Sequence, residues 1–126
     1  MSMTNPLARA RGHGSAKSGV QHWMAQRATA IFLVFLVGWL GYAAFQLAGA
    51  DFSAAQAFVA RPFNAALLIM LLIALLYHAM LGLQVVIEDY VHHPATEITL
   101  HFLIRAGAYL GMAVGTLHVV KIALGA

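Results

Sequence analysis

The sequence predicts an all-α membrane protein: three transmembrane helices, N-terminus cytoplasmic, forming part of a larger heteromeric helix bundle. Three observations predict it. The 126 residues are 62% hydrophobic and only 9% charged, outside the range of soluble globular domains. The apolar residues fall into three runs, Ala28–Ala48, Phe63–Ile87 and Phe102–Leu124, each close to the roughly 20 residues that cross about 30 Å of hydrocarbon as a helix. Finally, Arg9, Arg11, Lys17 and Arg27 all precede the first run, and the positive-inside rule turns that end towards the cytoplasm. Little length remains for anything else, so residues 1–126 read as one membrane domain. Three helices alone make a thin bundle, and helices of another chain are expected to complete it.

The elements follow in order. Residues 1–20 are polar, with Gly12, Gly14, Ser15, Ser18 and Gly19, and read as a flexible cytoplasmic arm. Helix one is expected over about 22–48. It is entered through "QHWMAQR", where Trp23 suits the headgroup region and Arg27 can snorkel. "LAGAD" at its far end has the small-residue pattern of a signal cleavage site. A basic lead of about 27 residues and an apolar run of about 20 are both too long for a signal peptide, so this helix is expected to be a permanent span.

A short external loop, "GADFSAAQAFVARP", leads to helix two, expected over 62–90 with Pro62 in its first turn. Pro94 is expected to stop that helix from continuing. Helix three is expected over about 98–124. Gly107, Gly111 and Gly115 recur every four residues along it, a stripe for close helix packing.

With no cysteine, the chain offers no thiolate for an iron–sulfur cluster or covalent haem. Any redox group it holds must be held by histidine. His78 is the one histidine well inside helix two, roughly 15 Å from its cytoplasmic end at 1.5 Å per residue. Ionisable residues at such depth face protein or a cavity. Three roles are open to it: a neutral histidine bonded to a neighbouring helix, an axial haem ligand, or a proton-relay or ligand contact. Ala74 and Gly82, four residues to either side, leave room for a flat macrocycle.

A haem with two histidine ligands would need a second imidazole at the same level. The first apolar run has none, His101 is near the surface, and His118 is about 9 Å away in depth. The second ligand would therefore come from another chain. Asp89 lies eleven residues after His78, on the same face and some 16 Å further along. It is expected at the cytoplasmic interface, level with Arg27, either solvated or ion-paired. Tyr90 beside it is an interfacial aromatic, or a phenol placed to bond a quinone carbonyl.

Two stretches carry a resemblance. "QRATAI" at Gln26–Ile31 opens helix one, and "HAMLGLQVVIEDY" at His78–Tyr90 ends helix two. With three spans and this size, the chain resembles the hydrophobic (D-type) membrane anchor subunits of bacterial succinate dehydrogenase, respiratory complex II. The resemblance implies that His78 is an axial ligand of haem b, with the second histidine on the companion cytochrome b subunit. It implies that Tyr90 bonds ubiquinone, that Asp89 belongs to the quinone-site network, and that Arg27 lies near the haem propionates. In some members a histidine stands six residues before that arginine. Here Gln21 holds the place and His22 follows, so His22 is only a weak propionate candidate. His92 and His93 receive no role.

The resemblance further implies an iron–sulfur subunit and a flavoprotein subunit as partners. It places the chain in the bacterial cytoplasmic (inner) membrane, within the respiratory chain and the tricarboxylic acid cycle. Such a chain would not oxidise succinate itself. It would help pass electrons from the iron–sulfur subunit to quinone, and the acidic segment Glu88–Glu97 would help dock the soluble subunits. Lipid is an expected partner and nucleic acid is not. Three rivals remain at this point: a haem-free anchor of a fumarate reductase-type enzyme, a small proton-coupled transporter using His78, Asp89 and Arg27, and a homodimeric cytochrome b with two copies of His78.

Overall fold

A computed structural model describes residues 19–125. The basic residues Arg9, Arg11 and Lys17, and most of the arm expected over 1–20, lie outside these. Four helices follow one another: α1 (Gly19–Gln46), α2 (Phe52–Val59), α3 (Pro62–Tyr90) and α4 (Pro94–Ala123). Among the described residues the structure is all-helical, and α1, α3 and α4 are each long and apolar enough to cross a membrane.

The sequence explains where the helices start and stop. α1 begins at Gly19, inside the stretch expected to be arm, and ends at Gln46. Its stop is local: Leu47–Gly49 form a turn, and Gly49 takes φ of 78°, a left-handed conformation that only glycine adopts without cost. Asp51 then caps α2, its Oδ1 accepting the Ala54 N–H at 2.8 Å and the Ser53 hydroxyl at 2.9 Å. The Ala54 N–H first, and the Ser53 hydroxyl second, hold the Asp51 carboxyl below its ordinary value. Asn64, in the first turn of α3, donates from Nδ2 to the Phe58 carbonyl at 2.8 Å and ties the short helix down.

Two prolines open helices. Pro62 and Pro94 each stand in the first turn of theirs, after Arg61 and His93 in extended conformations. A proline has a preset φ and lacks an N–H that the first turn does not need. Pro94 follows the end of α3, as expected, and has a second role. It starts α4 four residues before the expected position 98, with Glu97 in the first turn, where a negative charge suits the helix dipole.

α3 is the centre of the fold. α1 and α4 both pack on it rather than on each other, and Met80, Leu81 and Ala108 form the buried cluster, flanked by Ala25, Tyr77, Ile104 and Met112. The register against α4 is set by glycine. A Cβ at Gly111 would stand 3.1 Å from Leu76, and one at Gly115 would run into Leu72. The expected glycine stripe therefore works at two of its three positions, since Gly107 faces open space. Large side chains elsewhere stay outside: Phe35 is 73% exposed and Phe45 80%. In a bilayer such apolar surface is covered by lipid or by helices of other chains.

Candidate functional site

His78 makes one polar contact, and it reaches across to α1. Its Nδ1 lies 2.9 Å from Thr29 Oγ1. The same Oγ1 lies 2.8 Å from the Ala25 carbonyl oxygen and 3.0 Å from that of Gln26. A hydroxyl has one proton to give, and carbonyl oxygens only accept. With that proton directed back along α1, as threonines in helices commonly direct it, the oxygen accepts from the ring N–H at Nδ1. This arrangement favours the Nδ1–H tautomer, which leaves the Nε2 lone pair uncommitted, the form that ligates a metal through Nε2.

The helix register places the other candidates. Thr29 meets His78, and Gln26 Nε2 lies 3.5 Å from where a Gly82 Cβ would be, so α1 and α3 run antiparallel. Arg27 is level with about position 81, some 12 Å along α3 from Asp89. The expectation that these two stand level is corrected. Arg27 also lies about 200° around α1 from Thr29. It is exposed, with its guanidinium carbon 5.4 Å from the Trp23 ring centroid. Within this chain it does not converge on His78. Asp89 and Tyr90 are the last two residues of α3, both exposed, Tyr90 at 79%. Twelve residues, or about 18 Å, separate Tyr90 from His78.

No second imidazole of the described residues stands level with His78. The pairing of Leu72 with Gly115 and Leu76 with Gly111 puts position 109 opposite it. His118 is then about 13 Å away towards the loop end. It is exposed, and its Nδ1 bonds the Val114 carbonyl at 2.8 Å. His101 is about 12 Å away in the other direction, with its Nε2 3.9 Å from Glu88 Oε1. His22, carried by the early start of α1, is about 10 Å from the level of Thr29. Among the described residues no three of His, Asp and Glu come together as a metal-binding group.

The residues present therefore fit one axial position of a haem. His78 offers a free Nε2, and the small residues Ala74 and Gly82 adjoin it along α3. At that level the described residues offer one imidazole.

Sequence reasoning missed several polar groups. Thr29 is the clearest, although it lies within "QRATAI". Gln84 is buried at 5% exposure. His22 Nε2, Gln26 Oε1 and His101 Nδ1 are enclosed without a hydrogen-bond partner. They lie on the same half of the bundle as Tyr90, towards the ends of α1, α3 and α4 that meet there.

Comparison with known proteins agrees with this architecture. The family model described as the transmembrane subunit of succinate dehydrogenase/fumarate reductase matches residues 1–114. A protein of Rickettsia bellii (strain RML369-C) named succinate dehydrogenase hydrophobic membrane anchor subunit is 46% identical over 85 residues, 68% of each chain. The protein of the same name from Rickettsia conorii (strain ATCC VR-613 / Malish 7) is 37% identical over 100 residues, 79% of each chain. The succinate dehydrogenase membrane anchor subunit of Reclinomonas americana is 35% identical over 92 residues, covering 71% of this chain and 77% of its own.

Proposed function

The chain belongs to the succinate dehydrogenase/fumarate reductase transmembrane subunit family, and we propose that it is the membrane anchor of a succinate dehydrogenase that contributes to a haem b site and a ubiquinone site. The observation that carries the haem half is the bond between Thr29 and His78. A half-buried histidine that served only as helix glue would gain nothing from keeping its outer nitrogen free. Here Nδ1 is tied to α1 at 2.9 Å, and Nε2 keeps a lone pair that would ligate the haem iron. The companion cytochrome b subunit would supply the second histidine. A haem held there would store and relay single electrons.

The protein's own residues do the rest. Thr29 orients the ring through Nδ1, in the manner of partners behind metal-ligating histidines. Arg27, level with about position 81 of α3, would offer its guanidinium to a haem propionate. His22, five residues before it on α1, would be a weaker contact of the same kind. At the end of α3, the exposed Tyr90 phenol donates a hydrogen bond to a quinone carbonyl, and Asp89 beside it holds the local polar network. The iron–sulfur and flavoprotein subunits dock on this side, which is the cytoplasmic face of the bacterial inner membrane by the charge asymmetry of the sequence.

The test is a reduced-minus-oxidised spectrum of the tagged chain purified with its native partners, wild type against His78→Ala. Loss or strong alteration of a b-type signal in the variant, with a flavoprotein and an iron–sulfur protein co-purifying, is the expected result. An unchanged b-type signal would remove His78 as a ligand. Absence of haem and of both soluble partners would overturn the reading as a whole.

A further inference from the structure

At the loop end of the bundle, remote from His78, two cavities share Leu47 and Phe58 as walls. The outer one, of about 360 Å³, is lined by Tyr42, Gln46 and Arg61. The inner one, of about 140 Å³, is lined by Trp39, Leu40, Ala43, Ala44 and Leu68. Leu68 lies seven residues into α3 from Arg61, about 10 Å deeper. A polar chamber at the rim thus adjoins, across Leu47 and Phe58, an apolar groove nearer the middle of the spans.

The rim chamber has the chemistry of an anion site. Among the described residues the one carboxylate–base contact is Glu88 with His101, so Arg61 has no acid partner there. Asp51, the acid of the same loop, has Oδ1 taken by Ser53 and Ala54. The Tyr42 phenol oxygen accepts from Gln46 Nε2 at 2.7 Å, which leaves the phenol proton to give. A guanidinium is a planar fork that matches a phosphate. An uncompensated cation at the edge of hydrocarbon selects net negative charge. Below it, Ala43 and Ala44 open the groove beside Leu40, and the one polar side chain of that lining, Asn64, has its Nδ2 engaged by the Phe58 carbonyl.

From this pairing of an unpaired guanidinium with an apolar groove beneath it, we propose that the loop end binds one anionic phospholipid, its phosphate on Arg61 and Tyr42 and an acyl chain along Leu40 and Ala44. This site is independent of the haem and quinone reading.

The test is native mass spectrometry of the purified chain with its native partners, exchanged into micelles holding equal amounts of phosphatidylglycerol and phosphatidylcholine. Wild type is expected to retain phosphatidylglycerol in preference to phosphatidylcholine. Arg61→Gln should bind phosphatidylglycerol roughly tenfold more weakly, the size of one charge-assisted hydrogen bond, and Arg61→Lys should recover much of the loss. Ala44→Phe, which fills the groove and leaves the cation in place, should lose the lipid as well. Equal retention in wild type and Arg61→Gln, or no preference between the two lipids, would overturn the proposal. So would a photo-reactive group at position 44 that cross-links to a protein helix rather than to lipid.

Discussion

Thr29 and His78 are 49 positions apart in the chain, yet the threonine hydroxyl lies 2.9 Å from the imidazole Nδ1. That bond is the polar tie between α1 and α3 at the level of the candidate haem ligand. It favours one tautomer as well as one position, so its removal should be felt in the electronics of the site.

Thr29→Val keeps the shape of the side chain and removes the acceptor. The ring N–H then lacks a partner in a low-dielectric setting, a cost of about 1–3 kcal/mol. The purified complex should keep a b-type haem with a shifted midpoint potential and altered low-spin electron paramagnetic resonance signals. Thr29→Ser restores the acceptor and should return both to wild-type values. Identical potentials in all three proteins would show that the bond does not tune the ligand.

Tyr90→Phe removes one exposed phenol at the end of α3. Quinone reductase kcat/KM of the complex should fall roughly tenfold, as for the loss of one hydrogen bond in the transition state. The haem spectrum should stay unchanged, because Tyr90 is about 18 Å from His78 along the helix. Steady-state kinetics and the spectrum on the same sample separate the two effects.

The two glycines Gly115 and Gly107 invite a direct comparison. A Cβ at Gly115 runs into Leu72, whereas one at Gly107 meets nothing within 4 Å. Gly115→Ala should destabilise the helix pair by about 1–3 kcal/mol through overpacking, and Gly107→Ala should be neutral. Thermal denaturation in detergent of the two variants checks this, and equal midpoints would contradict the register given above.

Asp51 gives a pH prediction. Its carboxyl is held below the ordinary value of 3.8 by the Ala54 N–H and the Ser53 hydroxyl. A depressed pKa means that the cap stabilises α2 fully above 3.8 and loses that contribution as pH falls through the lower folded value. Amide exchange at Ala54 should therefore be faster in Asp51→Ala than in wild type at neutral pH, and the difference should shrink on acidification below 3.8. Asp51→Asn caps without titrating, so its protection should not show that loss.

The three spans were legible because each is a long, predominantly apolar run, and length with composition decides a spanning helix. The ends were less so. Pro94 reads equally well as the stop of one helix and the first turn of the next, and only the three-residue link Val91–His93 shows which role it has. α2 carried its own signal, an Asp51 cap before an alanine-rich octet, but a short segment inside a loop has no periodicity to announce it. Counting residues inward from the membrane edge put Arg27 level with Asp89. The contacts of Gln26 with Gly82 and of Thr29 with His78 correct this, since register belongs to pairs of helices and not to either one. Thr29 itself was invisible for the same reason. Its role exists only through a residue on another element.

The links between the spans differ greatly in length, and biogenesis inherits the difference. α3 and α4 are joined by three residues and locked by glycine against leucine. The short link keeps the two close from the moment α4 is inserted, so they are the first pair able to reach their final register. α1 emerges earlier and is separated from that hairpin by residues 47–61, so it can wait in the bilayer as an independent rod. Its capture by α3 is then a late event, and the imidazole of His78 acquires its orientation only when Thr29 arrives. Loading of a prosthetic group at His78 would accordingly follow assembly of the spans, not precede it.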